Sequence, residues 1–126
     1  MIEIKKVLVI DDNKHEQVFL SRALNSIYSC EVIIADNGQQ GLEMILMEQP
    51  DLAFLDVAMP LMDGIEMLEI LRIQYSQIKI PIIALTAKSD SMTLNKLLTL
   101  NVDEYLLKPI NIEQITSKME KVLSKY

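Results

Sequence analysis

Short apolar runs alternate along this chain with segments whose apolar residues recur at helical spacing. The runs cover residues 7–10, 32–34, 52–55, 80–85 and 105–107, and the first, second and fourth are rich in β-branched residues. The central runs are continuously apolar rather than alternating, which is typical of strands buried on both faces of a parallel sheet. We therefore predict five parallel strands.

The segments after the runs each carry a stripe of apolar residues with steps of three or four positions, the spacing of one helix face, which predicts five amphipathic helices. The stripes consist of Leu20, Ala23, Leu24 and Ile27; Leu42, Ile45 and Leu46; Ile65, Leu68 and Leu71; Leu94, Leu97 and Leu98; and Ile112, Ile115, Met119, Val122 and Leu123. One helix therefore follows each strand.

Residues typical of helix caps and strand ends support the boundaries of these helices and strands. Asn37, Asp63 and Asn111 are suitable helix N-caps, and Asn101 fits a left-handed stop after the fourth helix. Pro81 stands at the start of a strand, where a missing N–H is tolerated.

The order of elements predicts an α/β fold of (βα)₅ type, in one domain over residues 1–126. Right-handed crossovers place helices on both faces of such a doubly wound sheet. At this size the common strand order is 2-1-3-4-5, the flavodoxin-like arrangement. This order follows from the fold class, because periodicity does not determine it.

Composition narrows the class of protein. The 126 residues carry 12 basic and 18 acidic side chains, for a net charge of −6, which disfavours direct nucleic-acid binding. A single cysteine, Cys30, excludes an intrachain disulfide and fits a reducing compartment. No apolar run approaches the roughly 18 residues of a membrane span, and the N-terminus carries no signal pattern. We expect a cytoplasmic protein without membrane contact.

Polar side chains interrupt the apolar pattern where the strands end. Asp11 and Asp12 follow the first strand, Asp56 the third, Thr86 the fourth and Lys108 the fifth. Carboxyl ends of parallel strands share one edge, and ligands bind at that edge where the strand order reverses. These five side chains are therefore expected to converge, although any one aspartate taken alone could merely cap a helix.

Three carboxylates in close proximity repel one another, so the site needs positive charge. Lys108 can supply an ammonium, and a set of oxygen ligands alone favours Mg²⁺ or Mn²⁺ over zinc. A carboxylate beside a divalent cation and a lysine can attack the phosphorus of a phosphoryl donor.

Four sequence blocks together resemble the receiver domain of two-component response regulators, the phosphorelay proteins of the chemotaxis-receiver type. The blocks are VLVIDD at 7–12, DLAFLDVAMP at 51–60 with MDG at 62–64, ALTA at 84–87, and DEYLLKP at 103–109. The resemblance covers essentially the whole chain, and the blocks occur in the right order and spacing.

This resemblance implies a role for each site residue. Asp56 would be the phosphoacceptor, and Asp12 and Asp56 would hold Mg²⁺ directly. Asp11 would act largely through a water, and the backbone carbonyl of Ala58 would be a further ligand. Lys108 would contact the phosphoryl group.

The resemblance also implies a cis bond between Lys108 and Pro109, and a switch pair formed by Thr86 and Tyr105. Phosphorylation would then change the surface of helix four, strand five and helix five. The phosphodonor would be a sensor histidine kinase or a histidine phosphotransfer protein, and a downstream protein would read the changed surface. Such a domain is a signalling module and not an enzyme, apart from self-catalysed phosphoryl transfer and autodephosphorylation.

The chain departs from similar domains near the site. Residues 100–102 read Leu-Asn-Val where relatives often have Ala-Gly-Ala, and Lys88 is basic where some relatives are acidic or polar. Ala58, two residues past Asp56, offers no polar side chain to orient an attacking water. We therefore expect slow loss of the phosphoryl group.

Four other interpretations remain open. The chain is expected to be a stand-alone relay protein, but a receiver cut from a hybrid kinase or a DNA-binding regulator has the same sequence features. A flavin-binding electron carrier would need a phosphate-cradling loop where residues 11–14 read Asp-Asp-Asn-Lys. A phosphatase with an aspartyl-phosphate intermediate would carry a second acid at position 58, and a scaffold that is never phosphorylated would not need all five site residues. The oligomeric state is left open.

Overall fold

The computed structural model describes residues 3–87 and 90–126, and its centre is a five-stranded parallel sheet. The strands are β1 Lys6–Ile10, β2 Glu31–Ala35, β3 Leu52–Asp56, β4 Ile82–Thr86 and β5 Glu104–Leu107, in the order β2-β1-β3-β4-β5. The helices are α1 Lys14–Tyr28, α2 Gly38–Glu48, α3 Gly64–Gln74, α4 Ser91–Thr99 and α5 Ile112–Lys125. The predicted fold class and strand order are confirmed.

Each face of the sheet is covered by its own apolar cluster, because successive side chains of a strand point to opposite faces. The cluster under α1 and α5 includes Val7, Val9, Phe54, Ile83, Leu20, Leu24, Ile115, Met119 and Val122. The cluster on the other face includes Leu8, Ile10, Ala53, Leu55, Ile82, Ile45, Leu68, Leu71 and Leu97. All five residues of β3 and of β4 are buried, as the continuous apolar runs predicted.

The predicted N-caps are confirmed. The side chains of Asn37, Asp63 and Asn111 each accept a hydrogen bond from the backbone N–H three residues on. In α3 the bond is reciprocated, since Glu66 accepts from the N–H of Asp63 and completes a capping box.

The end of α4 accounts for the asparagine in the Leu-Asn-Val sequence. Asn101 has φ of 59°, the left-handed conformation expected for it. The Arg72 guanidinium, from α3, donates to the carbonyls of Leu100 and Asn101 at 2.8 and 2.9 Å. These bonds satisfy two carbonyls at a helix end that would otherwise lack partners.

Three residues of the apolar stripes lie at the surface and not in the core. Ile27, Leu98 and Ile112 are 41%, 59% and 50% exposed. Periodicity predicts the buried side of a helix, but the extent of the neighbouring sheet decides how far along the helix that side is covered. The fourth strand also begins at Ile82, so Ile80 and Pro81 precede it.

Within the described residues, none of the helices combines the length and apolarity needed to cross a bilayer.

The left-handed Asn101 yields a matched pair of substitutions. Asn101→Gly should raise the free energy of unfolding by about 0.5 kcal/mol, because glycine adopts positive φ without a Cβ penalty. Asn95→Gly, at an exposed position inside the same helix, should lower the free energy of unfolding by about 0.5 kcal/mol. Urea unfolding of both variants measures the contrast, and equal effects of the same sign would contradict the assigned backbone conformation.

Candidate functional site

The site residues lie where strands reach the carboxyl edge of the sheet. Asp56 and Thr86 are the last residues of β3 and β4, while Asp11 and Lys108 directly follow β1 and β5. Strands β1 and β3 are neighbours, with Ile10 paired to Leu55. Chain connections leave these two strands towards opposite faces, and the acids gather at the crevice between them.

Three aspartates at this edge of the sheet form one cluster. Carboxylate oxygens of Asp11, Asp12 and Asp56 lie within 4.8 Å of one another. Asp11 and Asp56 are buried, whereas Asp12 is exposed. The backbone N–H of Asn13 donates to Asp11 Oδ1 at 2.9 Å, and that of Ala58 donates to Asp56 Oδ1 at 3.2 Å.

Asp11 carries the electrostatic cost of this cluster. Its Oδ2 atom is buried and has no hydrogen-bond donor among the described residues. Burial is the main cause that raises the pKa of Asp11 to about 8. A hydrogen bond between the protonated Asp11 carboxyl and Glu16, and repulsion by the negative charge of Asp56, raise it further. The N–H of Asn13 opposes this rise but does not cancel it.

Lys108 supplies positive charge to the cluster. Its Nζ atom lies 3.1 Å from Asp56 Oδ2 and 2.9 Å from Glu16 Oε2, and its side chain is largely buried. Burial alone would lower the pKa of Lys108, but the ion pairs with Glu16 and Asp56 outweigh it and raise the pKa. The ammonium is therefore held in its charged form between two carboxylates.

The segment around Lys108 is fixed by the backbone. The N–H of Lys108 donates to the carbonyl of Thr86 at 2.9 Å, which ties the end of β5 to the end of β4. The bond between Lys108 and Pro109 is cis.

Glu16 is a site residue that sequence reasoning missed. It lies in the first turn of α1, three residues after the N-cap Asn13, and its side chain reaches Lys108. Burial would raise the pKa of Glu16, but its hydrogen bonds with Asp11 and Lys108 lower it. The spacing from Asn13 to Glu16 indicates a capping box, so the sequence carried no signal for a contact with Lys108.

The loop after Asp56 is held against the site by a close approach of α3. A Cβ atom on Gly64 would lie 2.5 Å from the carbonyl oxygen of Asp56, so only glycine fits there without movement. The N–H of Gly64 donates to the carbonyl of Val57 at 2.9 Å. Ala58, within this loop, is exposed beside Asp56.

The two residues expected to act as a switch lie on adjacent strands. Ala84 pairs with Tyr105 and Thr86 with Leu107, so Thr86 and Tyr105 project from the same face of the sheet. Thr86 is buried and Tyr105 is half-buried. Lys88, which was expected to influence hydrolysis, lies outside the described residues.

The donor set fits a hard divalent cation. Its atoms are carboxylate oxygens, which Mg²⁺ and Mn²⁺ prefer, and two of the three acids are held in place by backbone N–H groups. The buried Asp11 Oδ2 without a donor is the atom for which a cation would supply the missing partner.

Comparison with known proteins identifies the class. Residues 7–120 match the family described as the response regulator receiver domain. The chain belongs to this family, whose members are phosphorylation-dependent signalling domains of two-component systems rather than conventional enzymes. Receiver domains generally bind Mg²⁺ at an acidic pocket and interact with histidine kinases and downstream effectors. This family assignment excludes the interpretation of the chain as a flavin-binding electron carrier.

Individual relatives show where such domains occur. The chain is 34% identical over 117 residues to the probable C4-dicarboxylate response regulator DctR of Bacillus subtilis, with 92% of this chain and 51% of that protein covered. It is 32% identical to the sensor histidine kinase TmoS of Ectopseudomonas mendocina, with 94% of this chain and 12% of TmoS covered. The chain thus spans about half or less of these relatives. Among solved structures, chemotaxis protein CheY4 of Vibrio cholerae matches with a TM-score of 0.85 and 27% identity, covering 94% of this chain and 98% of CheY4.

The raised pKa of Asp11 predicts a pH dependence of stability in metal-free buffer. Because the folded state holds the proton more tightly than the unfolded chain, this contribution is fully present below about pH 4 and is lost as pH rises through 8. Asp11→Asn removes the titrating group, so the fall in unfolding free energy between pH 5 and 8 should be smaller than in the wild type. Urea unfolding with a chelator present measures both, and identical pH profiles would contradict the shift.

Proposed function

We propose that this chain is a single receiver module over residues 1–126 that accepts a phosphoryl group on Asp56 in a Mg²⁺-dependent reaction. The observation that carries this proposal is the surroundings of Asp56. Asp56 is 2% exposed, and its carboxylate lies 3.1 Å from the Lys108 ammonium and within 4.8 Å of carboxylate oxygens of Asp11 and Asp12. A buried acid with this arrangement of charges has the means to act as a nucleophile towards phosphorus.

The chemistry follows from the charges. A carboxylate oxygen of Asp56 forms the new O–P bond while the bond from phosphorus to the donor, a histidine nitrogen or an acyl oxygen, breaks. Lys108, already beside Asp56, neutralises charge on the transferring oxygens. Asp11, Asp12, Asp56 and the carbonyl of Ala58 would hold Mg²⁺ or Mn²⁺, with Asp11 acting largely through water. The cation supplies further positive charge for the phosphoryl oxygens.

The donor and the reader of the signal are proposed from the family. A sensor histidine kinase or a histidine phosphotransfer protein would deliver the phosphoryl group, and a downstream protein would respond. The relatives include both a histidine kinase and response regulators, so the same module serves within longer proteins of different architecture. We place these encounters in the cytoplasm.

The output would be a change on the surface formed by α4, β5 and α5. Thr86 would turn its hydroxyl to a phosphoryl oxygen, and Tyr105 would move into the space beside it. In the described structure Lys118 Nζ lies 5.2 Å from the centre of the Tyr105 ring and 2.9 Å from Glu104 Oε1. This cation–π contact is weak enough, at about 0.5–1 kcal/mol, for such a movement to break it.

Phosphorylation can be tested directly. Incubation with acetyl phosphate and Mg²⁺ should add one phosphoryl group to the wild type by intact mass, and Asp56→Asn should abolish the gain. Asp63→Asn is the matched control, because asparagine is an equally good N-cap and preserves α3. An unmodified wild type would support the scaffold interpretation, and a modified Asp56→Asn would place the phosphoryl group elsewhere.

The lifetime of the phosphoryl group tests the role of position 58. The exposed Ala58 offers no side chain to orient water, so the phosphorylated wild type should lose its phosphoryl group slowly, over minutes or longer. Ala58→Asn should shorten this lifetime. Ala87→Asn makes the same substitution at an exposed position after β4 and serves as the comparison. Decay of the wild type within seconds, or no acceleration by Ala58→Asn, would contradict the proposal.

A further inference from the structure

Glu16 makes a contact that its position in the helix does not predict. Two helices of this chain have an N-cap side chain followed three residues later by glutamate: Asn13 with Glu16 in α1, and Asp63 with Glu66 in α3. In α3, Glu66 folds back and accepts from the N-cap N–H at 3.4 Å, as a capping box requires. In α1 the glutamate instead extends to Lys108, at 2.9 Å.

The cause of this difference is Asp11. The N–H of Asn13, which Glu16 would bind in a capping box, already donates to Asp11 Oδ1 at 2.9 Å. Glu16 therefore does not close a capping box with this N–H, and its side chain extends to the site instead. Its side chain is 26% exposed, so the ion pair with Lys108 is partly shielded from solvent.

The contact changes the charge balance around Asp56. Lys108 is shared between Glu16 at 2.9 Å and Asp56 at 3.1 Å, so the ammonium is not committed to Asp56 alone. Glu16 adds a fourth carboxylate, bonded to the same ammonium as Asp56, to the three of the acidic cluster. An additional negative charge favours a bound cation but repels an incoming phosphoryl dianion.

Building on the proposed function, we infer that Glu16 is a positioning residue that restrains phosphorylation. It shares the Lys108 ammonium with Asp56, strengthens the attraction of the acidic cluster for Mg²⁺, and limits the positive charge that Lys108 offers to the phosphoryl group. Glu16 thus acts through its charge and through its ion pair with Lys108, and does not itself form a bond to phosphorus.

The inference predicts two changes of opposite direction in Glu16→Gln. Glutamine keeps the length and an acceptor oxygen but removes the charge. Mg²⁺ affinity, measured by calorimetry without phosphodonor, should fall about three- to tenfold. The initial rate of phosphorylation by acetyl phosphate at saturating Mg²⁺ should rise by a similar factor of about three to ten.

The matched control is Glu69→Gln. It removes the same charge from an ion pair at a surface position, where Glu69 Oε2 lies 3.4 Å from Lys96 Nζ, and should leave both quantities as in the wild type. If Glu16→Gln behaves like Glu69→Gln, the inference is overturned. A fall in both affinity and rate also overturns it, because Glu16 would then serve only to hold Lys108 in place. If the wild type itself takes up no phosphoryl group, the proposed function fails instead, whatever the variant does.

Discussion

The ion pair between Lys108 and Asp56 is the interaction on which the site depends. A parallel sheet covered by helices on both faces leaves its carboxyl edge as the place where polar side chains can emerge. Here two buried aspartates emerge side by side, and burying like charges is costly unless opposite charge is near. Lys108, held 3.1 Å from Asp56, supplies part of that charge.

Lys108 compensates the negative charge of the buried aspartates only in part, and the uncompensated part lies at Asp11. Asp56 has a backbone N–H and the ammonium as partners, whereas in the described part of the chain only one of the two Asp11 oxygens has a donor. The pKa of Asp11, raised to about 8, expresses this deficit. The fold therefore keeps an uncompensated negative charge at one fixed place, which is the property that the proposed binding of a divalent cation requires.

Sequence alone was sufficient for the fold and for the residues that end the strands. Continuous apolar runs and helical stripes determine the layers, and the parallel arrangement then brings Asp11, Asp56, Thr86 and Lys108 to one edge whatever the details of packing. Glu16 could not be found in this way, because it lies in the first turn of α1 and not at the end of a strand. Its actual contact depends on Asp11 occupying the N–H of Asn13, a competition that only three-dimensional placement reveals. The exposure of Ile27, Leu98 and Ile112 could not be predicted for a similar reason. Helical periodicity does not show where the neighbouring sheet ends.

The same bonds that build the site also connect it to the far edge of the sheet. Lys108 contacts Asp56 through its side chain and Thr86 through its backbone N–H, and it directly follows β5, which contains Tyr105. A change of charge on Asp56 therefore acts on a residue already bonded to both β4 and the end of β5. Because β5 is an edge strand of four residues, it has one strand neighbour within the sheet to resist displacement. The proposed response on the surface of α4, β5 and α5 would thus follow from the position of Lys108, without a longer pathway through the core.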